Sequence, residues 1–203
     1  MNQHLKTILK ATLVLGFVTL TSCGPKEFTK GDYDSNVESD NLLNDKWSET
    51  DMQKVVHDLV ASLANHPSLA KASKPPVVMV TKLQNKTDEH IDTQNIMDMV
   101  RVELMNTGKV QFVDKEARED LQDEYNYQNS GAVAKEHQKK TGKQVGADYI
   151  LNGRLDSIVQ EVGKDKTVYY KVTLNFTDTE RNLVVWSGYK QLRKIYRKKS
   201  VGL

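Results

Sequence analysis

One thiol, five imidazoles and a few adjacent carboxylates are all that the 203-residue chain offers toward covalent or acid–base chemistry. A thiol beside a base could act as a nucleophile, and clustered His, Cys and carboxylate side chains could hold a metal. Neither pattern is present. His57, His66, His90 and His137 are scattered, and no His-Glu-x-x-His pair occurs. A single Cys cannot form an internal disulfide or a cysteine-built zinc site. The glycine-rich phosphate cradles and the G-x-S-x-G nucleophile elbow are also missing. Asp88/Glu89 and Glu119/Asp120 are paired carboxylates, but adjacent acids on loops and helices are ordinarily solvated. Only a wall hydrolase built on two distant carboxylates stays open at this level. The residues therefore point to no catalytic group, no metal and no cofactor.

The cysteine has a different chemical context. Lys6 and Lys10 precede a mostly apolar run from Ala11 to Leu20, followed by Leu20-Thr21-Ser22-Cys23-Gly24. The run is shorter than the roughly 20 residues needed to cross a hydrocarbon core, and it fits the h-region of a secretion signal. The segment resembles the lipobox of bacterial lipoproteins, which implies cleavage after Ser22 and acylation of Cys23 on sulfur and nitrogen. The plainer alternative is a signal peptide with an incidental Cys. Each buried acyl CH₂ contributes about 0.8 kcal/mol, so three chains would amount to a permanent anchor. Inner-membrane lipoproteins of enteric bacteria typically carry Asp after the Cys. Gly24 in that place implies the outer membrane, facing the periplasm.

Cleavage would change the electrostatics. The whole chain has a formal charge of +2, and removing residues 1–22 with Lys6 and Lys10 leaves 27 cations against 27 anions. No positive excess is left to displace counterions from phosphates, so nucleic acid is not an expected partner.

The segments that must position any binding surface are set by periodicity. Residues 23–48 are acidic and poor in large apolar side chains, and read as a lipidated, flexible linker whose Leu42, Leu43 and Trp47 could dock on the domain. Residues 49–195 read as that one domain. Thr50 with Gln53 suggests a capping box for a helix to Ala64, with Met52, Val55, Val56, Leu59, Val60 and Leu63 on its inner face. Val77 to Val80 is a buried strand followed by a polar loop from Leu83 to Asp88. Asp92 or Thr93 caps a second helix, which Gly108 stops. A short strand at Val110 to Val113, a helix after Asp114 and another from Ala132 to Lys143 come next. A long strand from Tyr149 to Val162, an alternating strand through Val168 to Phe176 and a last strand from Val184 complete the pattern. This order predicts an α/β fold, a single three-layer-like sandwich with a mixed sheet flanked by helices.

Lys190, Arg193, Lys194, Arg197, Lys198 and Lys199 place six cations in ten residues. They read either as a solvated end, with 196–203 a basic C-terminal tail, or as a patch for anionic headgroups, wall polymers or the acidic linker.

Several stretches together resemble the LpoB family of outer-membrane lipoproteins. They are the segment around Cys23, Trp47-Ser48-Glu49-Thr50-Asp51-Met52, and Val77 to Thr87 ending in Gln84-Asn85-Lys86-Thr87. Asn106-Thr107-Gly108-Lys109-Val110-Gln111-Phe112-Val113, Gly146-Ala147-Asp148-Tyr149-Ile150-Leu151 and Leu183-Val184-Val185-Trp186-Ser187-Gly188 complete the set. The resemblance implies a non-catalytic, monomeric activator that binds the accessory domain of a class A penicillin-binding protein and so regulates peptidoglycan synthesis. The linker departs from the enteric pattern by being short, acidic and nearly free of Pro, and the family's synthase-contact residues do not map onto identical ones. Expected outward-facing strand residues Arg154, Tyr169, Lys171 and Tyr189 are the candidates for the partner surface, since Tyr and Arg are favoured interface anchors. Similarity to CsgG leaves a second reading, a structural subunit of an envelope secretion complex.

Overall fold

The computed structural model describes residues 36, 37, 40 and 43–198. Cys23, the expected signal 1–22 and most of the expected linker lie outside the described residues.

Helix α1 spans Glu49–Ala64, and its cap is Ser48 rather than Thr50. Ser48 Oγ accepts from the Asp51 amide while the Asp51 carboxylate accepts from the Ser48 amide at 2.8 Å. Ser-x-x-Asp closes the reciprocal box two residues earlier than expected, and Thr50 is buried instead. Val55, Val56, Leu59, Val60 and Leu63 face the core, as their spacing requires. A one-turn helix α2, Pro67–Ala70, is capped by His66 Nδ1.

Strand β1 runs Val77–Lys86, six residues beyond the expected end at Val80. A bulge between Val80 and Leu83 resets its register against β3, Tyr149–Val162. Leu83 thereby returns to the core, and the polar residues after it continue as strand rather than loop. Asp92 caps helix α3, Thr93–Asn106, by accepting from the amides of Gln94 and Asn95. Ile96, Met97, Val100 and Leu104 are its buried side chains, and Gly108 follows at φ 68°.

Strand β2, Gln111–Phe112, pairs parallel with β1. Helix α4, Arg118–Tyr127, starts four residues after Asp114 and buries none of its side chains. The helix expected from Ala132 to Lys143 is absent. A π-type turn at Gln128–Ala132 breaks at Gly131, φ 96°, and turns follow. The physical reason is the lack of an apolar stripe, since from Ala132 to Lys143 only Val133 and Gln138 are half-buried and the rest are exposed.

Strands β3, β4 (Asp165–Asp178) and β5 (Leu183–Arg197) form an antiparallel meander. The sheet order is β2-β1-β3-β4-β5, parallel on one side and antiparallel on the other. β5 includes Tyr196 and Arg197, the first two residues of the expected tail. Val168, Tyr170, Val172, Leu174 and Phe176 of β4 alternate into one core with Leu151, Leu155, Trp186 and the buried faces of α1 and α3. The fold is thus an α/β mixed sheet with flanking helices. Both long helices share that core, which leaves the other sheet face to polar and half-exposed side chains.

Candidate functional site

The period of two along β4 decides which side chains reach the open face. With Val168 to Phe176 directed inward at every second position, Tyr169, Lys171, Thr173 and Asn175 project outward. Cross-strand register then assembles rows. Arg154, Thr173 and Tyr189 are neighbours, as are Asp156, Lys171 and Gln191, and Ile158, Tyr169 and Arg193. All four candidates, Arg154, Tyr169, Lys171 and Tyr189, therefore lie on one face across three strands.

Their geometry is partly locked. Arg154 Nε donates to Asp156 at 2.8 Å, which holds the guanidinium along β3. Lys171 Nζ lies 5.7 Å from the centre of the Tyr189 ring, a cation–π arrangement that fixes a ring otherwise 64% exposed. Beside Arg154 the face dips into a cavity of about 660 Å³ lined by Thr81, Gln84, Asn152, Thr173 and Asn175, with Lys82 and Lys115 at its margin. The Thr173 hydroxyl is buried there without a hydrogen-bond partner.

Two members of this surface, Asp156 and Thr173, escaped sequence reasoning. The alternation that turns Lys171 outward also turns Thr173 to this face, and the same period of two along β3 sets Asp156 beside Arg154. The groups on this face can hydrogen-bond, pair charges and stack. Among the described residues they include no nucleophile–base pair.

A second polar cluster lies on the helical side, where the chain enters the domain. Trp47 packs on the core, and its ring meets Tyr170 edge-on at 5.3 Å between centroids. Leu43, a second docking candidate, is exposed instead, and Leu42 lies outside the described residues. The Trp47 amide donates to Glu89 at 3.1 Å, and the Tyr170 hydroxyl donates to the same carboxylate. Burial, with Glu89 adding to it, pushes the Tyr170 phenol far above its ordinary range. Lys194 Nζ lies 2.5 Å from the Asp51 carboxylate and donates to the Lys46 carbonyl at 2.6 Å. Lys166 pairs with Asp45 at 2.6 Å, and its ammonium holds that carboxyl below the usual range. The Tyr196 hydroxyl donates to the Asn44 carbonyl at 2.5 Å.

The basic run is consequently not a frayed end through Lys198. Lys190 pairs with Asp58, Lys194 with Asp51, Arg197 with Asp165 and Lys198 with Glu161. Among the paired carboxylates, Glu89 serves Trp47 and Tyr170, while Glu119 and Asp120 sit in the first turn of α4. His57 meets Glu103, and His66 caps α2. Among the described residues no three His, Cys, Asp or Glu side chains converge on a metal position, and no helix is long and apolar enough to cross a membrane.

Residues 51–192 match the family model described as peptidoglycan-synthase activator LpoB. No curated protein matches the chain. Among solved structures, the LpoB C-terminal domain from Salmonella enterica is 15% identical, with 70% of this chain and 98% of that one covered at a TM-score of 0.45. The E. coli LpoB solved by NMR is 13% identical, with 89% and 87% covered and a TM-score of 0.44. The lipoprotein GNA1162 from Neisseria meningitidis is 14% identical, with 62% and 88% covered and a TM-score of 0.41.

Proposed function

The chain belongs to the LpoB family of peptidoglycan-synthase activators, and from that premise we propose that it is a non-catalytic lipoprotein of the outer membrane that binds a class A penicillin-binding protein. Cys23 is its acylation site, and the domain from residue 49 onward works in the periplasm. The accessory domain of the synthase is its partner. The observation that carries this reading is the open face, where Tyr189, Lys171, Tyr169 and Arg154 stand together on a rigid three-stranded frame. Aromatic and guanidinium side chains of this kind supply most of the binding energy in protein interfaces.

Such a protein activates only by binding the active state of its partner more tightly than the inactive state. A preference of about 1–3 kcal/mol gives roughly 5–150-fold in population. The test adds the chain from residue 23, with Cys23→Ser, to the purified class A synthase of the same cell. Faster glycan-strand polymerisation and cross-linking, with saturable binding, is the expected result. Unchanged rates with no binding overturn the reading, and turnover of peptidoglycan by the chain alone would replace it with a hydrolase.

A further inference from the structure

We propose that the far end of the open face, around Ile158, Val162 and Ile195, is a contact surface for an anionic phospholipid bilayer. Three rows make up this end of the sheet: Ile158–Tyr169–Arg193, Gln160–Thr167–Ile195 and Val162–Asp165–Arg197. Ile158, Val162 and Ile195 are 57%, 79% and 73% exposed. A lone exposed aliphatic side chain is ordinary. Here three of them share one face of β3 and β5, within about 13 Å of one another along the strands.

The charge around them is positive. Among the described residues Arg193 enters no ion pair, Arg197 is held by Asp165, and Lys198 lies 3.8 Å from Glu161. Lys164 sits in the β3–β4 turn. Aliphatic side chains ringed by Lys and Arg suit a headgroup boundary, where the apolar groups enter the acyl region and the cations meet phosphates.

The entry point of the chain favours lipid over protein as the occupant, and this step rests on acylation at Cys23. Asn44 and Asp45 are bound by Tyr196 and Lys166, whose row Glu161–Lys166–Tyr196 lies between the last two of these rows and faces the helical side. Twenty residues separate Cys23 from Asn44, a span of roughly 70 Å at most. The chain therefore enters the domain at the end that carries the exposed aliphatics, which keeps that end within the tether's reach of the bilayer.

The experiment uses the chain from residue 23 with Cys23→Ser, so that no acyl chain contributes. It is sedimented with vesicles of phosphatidylethanolamine mixed with phosphatidylglycerol, and separately with phosphatidylcholine vesicles. Binding is expected to the anionic vesicles, to weaken about tenfold in the double variant Ile158→Asp/Ile195→Asp, and to fall with added salt. Arg193→Glu, which alters no packed residue, is expected to weaken it too. An Ile195→Trp variant is expected to be quenched by brominated anionic lipid. Equal binding to both vesicle types overturns the proposal, as does wild-type binding by folded variants. Loss of synthase stimulation with vesicle binding intact would assign the surface to the protein partner and likewise overturn it. Labelled palmitate on full-length protein tests Cys23 separately, so failure of the anchor is not mistaken for failure of the surface.

Discussion

Lys194 on β5 reaches across the helical side of the sheet to Asp51 in the first turn of α1, 2.5 Å away, with both side chains about 95% buried. The pair is satisfied on every side. Asp51 also receives Ser48, and Lys194 donates to the Lys46 carbonyl and lies 5.8 Å from the Tyr170 ring centre. Breaking one half leaves a buried charge, so Lys194→Met is expected to cost about 3–5 kcal/mol in urea unfolding. The double variant Lys194→Met/Asp51→Leu should recover much of that loss.

Trp47 fastens the entering chain to the core. Trp47→Ala should cost about 2–3 kcal/mol, less than a fully buried Trp, because part of the ring is exposed. Limited proteolysis is expected to begin between Asp40 and Lys46 in the variant and to spare that stretch in the parent.

Two ionisable groups of this entry cluster give pH signatures of opposite sense. The Tyr170 phenol is raised by burial and by Glu89, so the stability it contributes is complete below pH 10.0 and declines above it. An absorbance titration should show one of the eight tyrosines ionising only as the protein unfolds. Asp45 is lowered by Lys166, so its contribution is present above its ordinary 3.8 and lost as pH falls through its lower folded value. Lys166→Met should remove the acid-side effect.

Gly153 sits in the middle of β3 where no side chain fits. A methyl group there would stand 2.2 Å from the Thr173 carbonyl oxygen and 2.7 Å from the Leu174 side chain. The first of these neighbours is backbone and cannot rotate away. Gly153→Ala is expected to destabilise by about 2–3 kcal/mol in thermal or urea unfolding.

Tyr189 and Arg154 flank Thr173 on the open face. Tyr189→Ala and Arg154→Ala should each weaken synthase binding about tenfold or more while shifting unfolding free energy by under about 0.5 kcal/mol. Calorimetric binding paired with urea unfolding separates the two effects.

The helices and strands most legible in sequence were those with strong periodicity. The stripe from Val55 to Leu63 and the alternation from Val168 to Phe176 each gave both the element and its inward face. The extent of β1 was less legible, because its bulge shifts the inward position to Leu83 and strands polar residues on the outer side. The spurious helix after Ala132 came from local composition without an apolar stripe to hold it. The outward setting of Arg154, Tyr169, Lys171 and Tyr189 could be read from strand period alone. Their neighbours Asp156 and Thr173 follow the same period, but the cross-strand partners of each could not be read, since register is set by pairing between distant segments. The basic run was misleading for the same reason. Its partners, Asp51, Asp58, Glu161 and Asp165, are scattered in sequence and adjacent only once β5 folds against α1 and the hairpin.

Among the described residues, β5 has a strand on one side only, along its full fifteen residues. A flank of that length is a template on which a second molecule could lay its own backbone and begin to aggregate. Arg193 and Arg197 stand exposed along it, and an identical flank brought alongside would set like charges against like. These exposed cations thus discourage copies of the protein from zipping edge to edge into a shared ribbon.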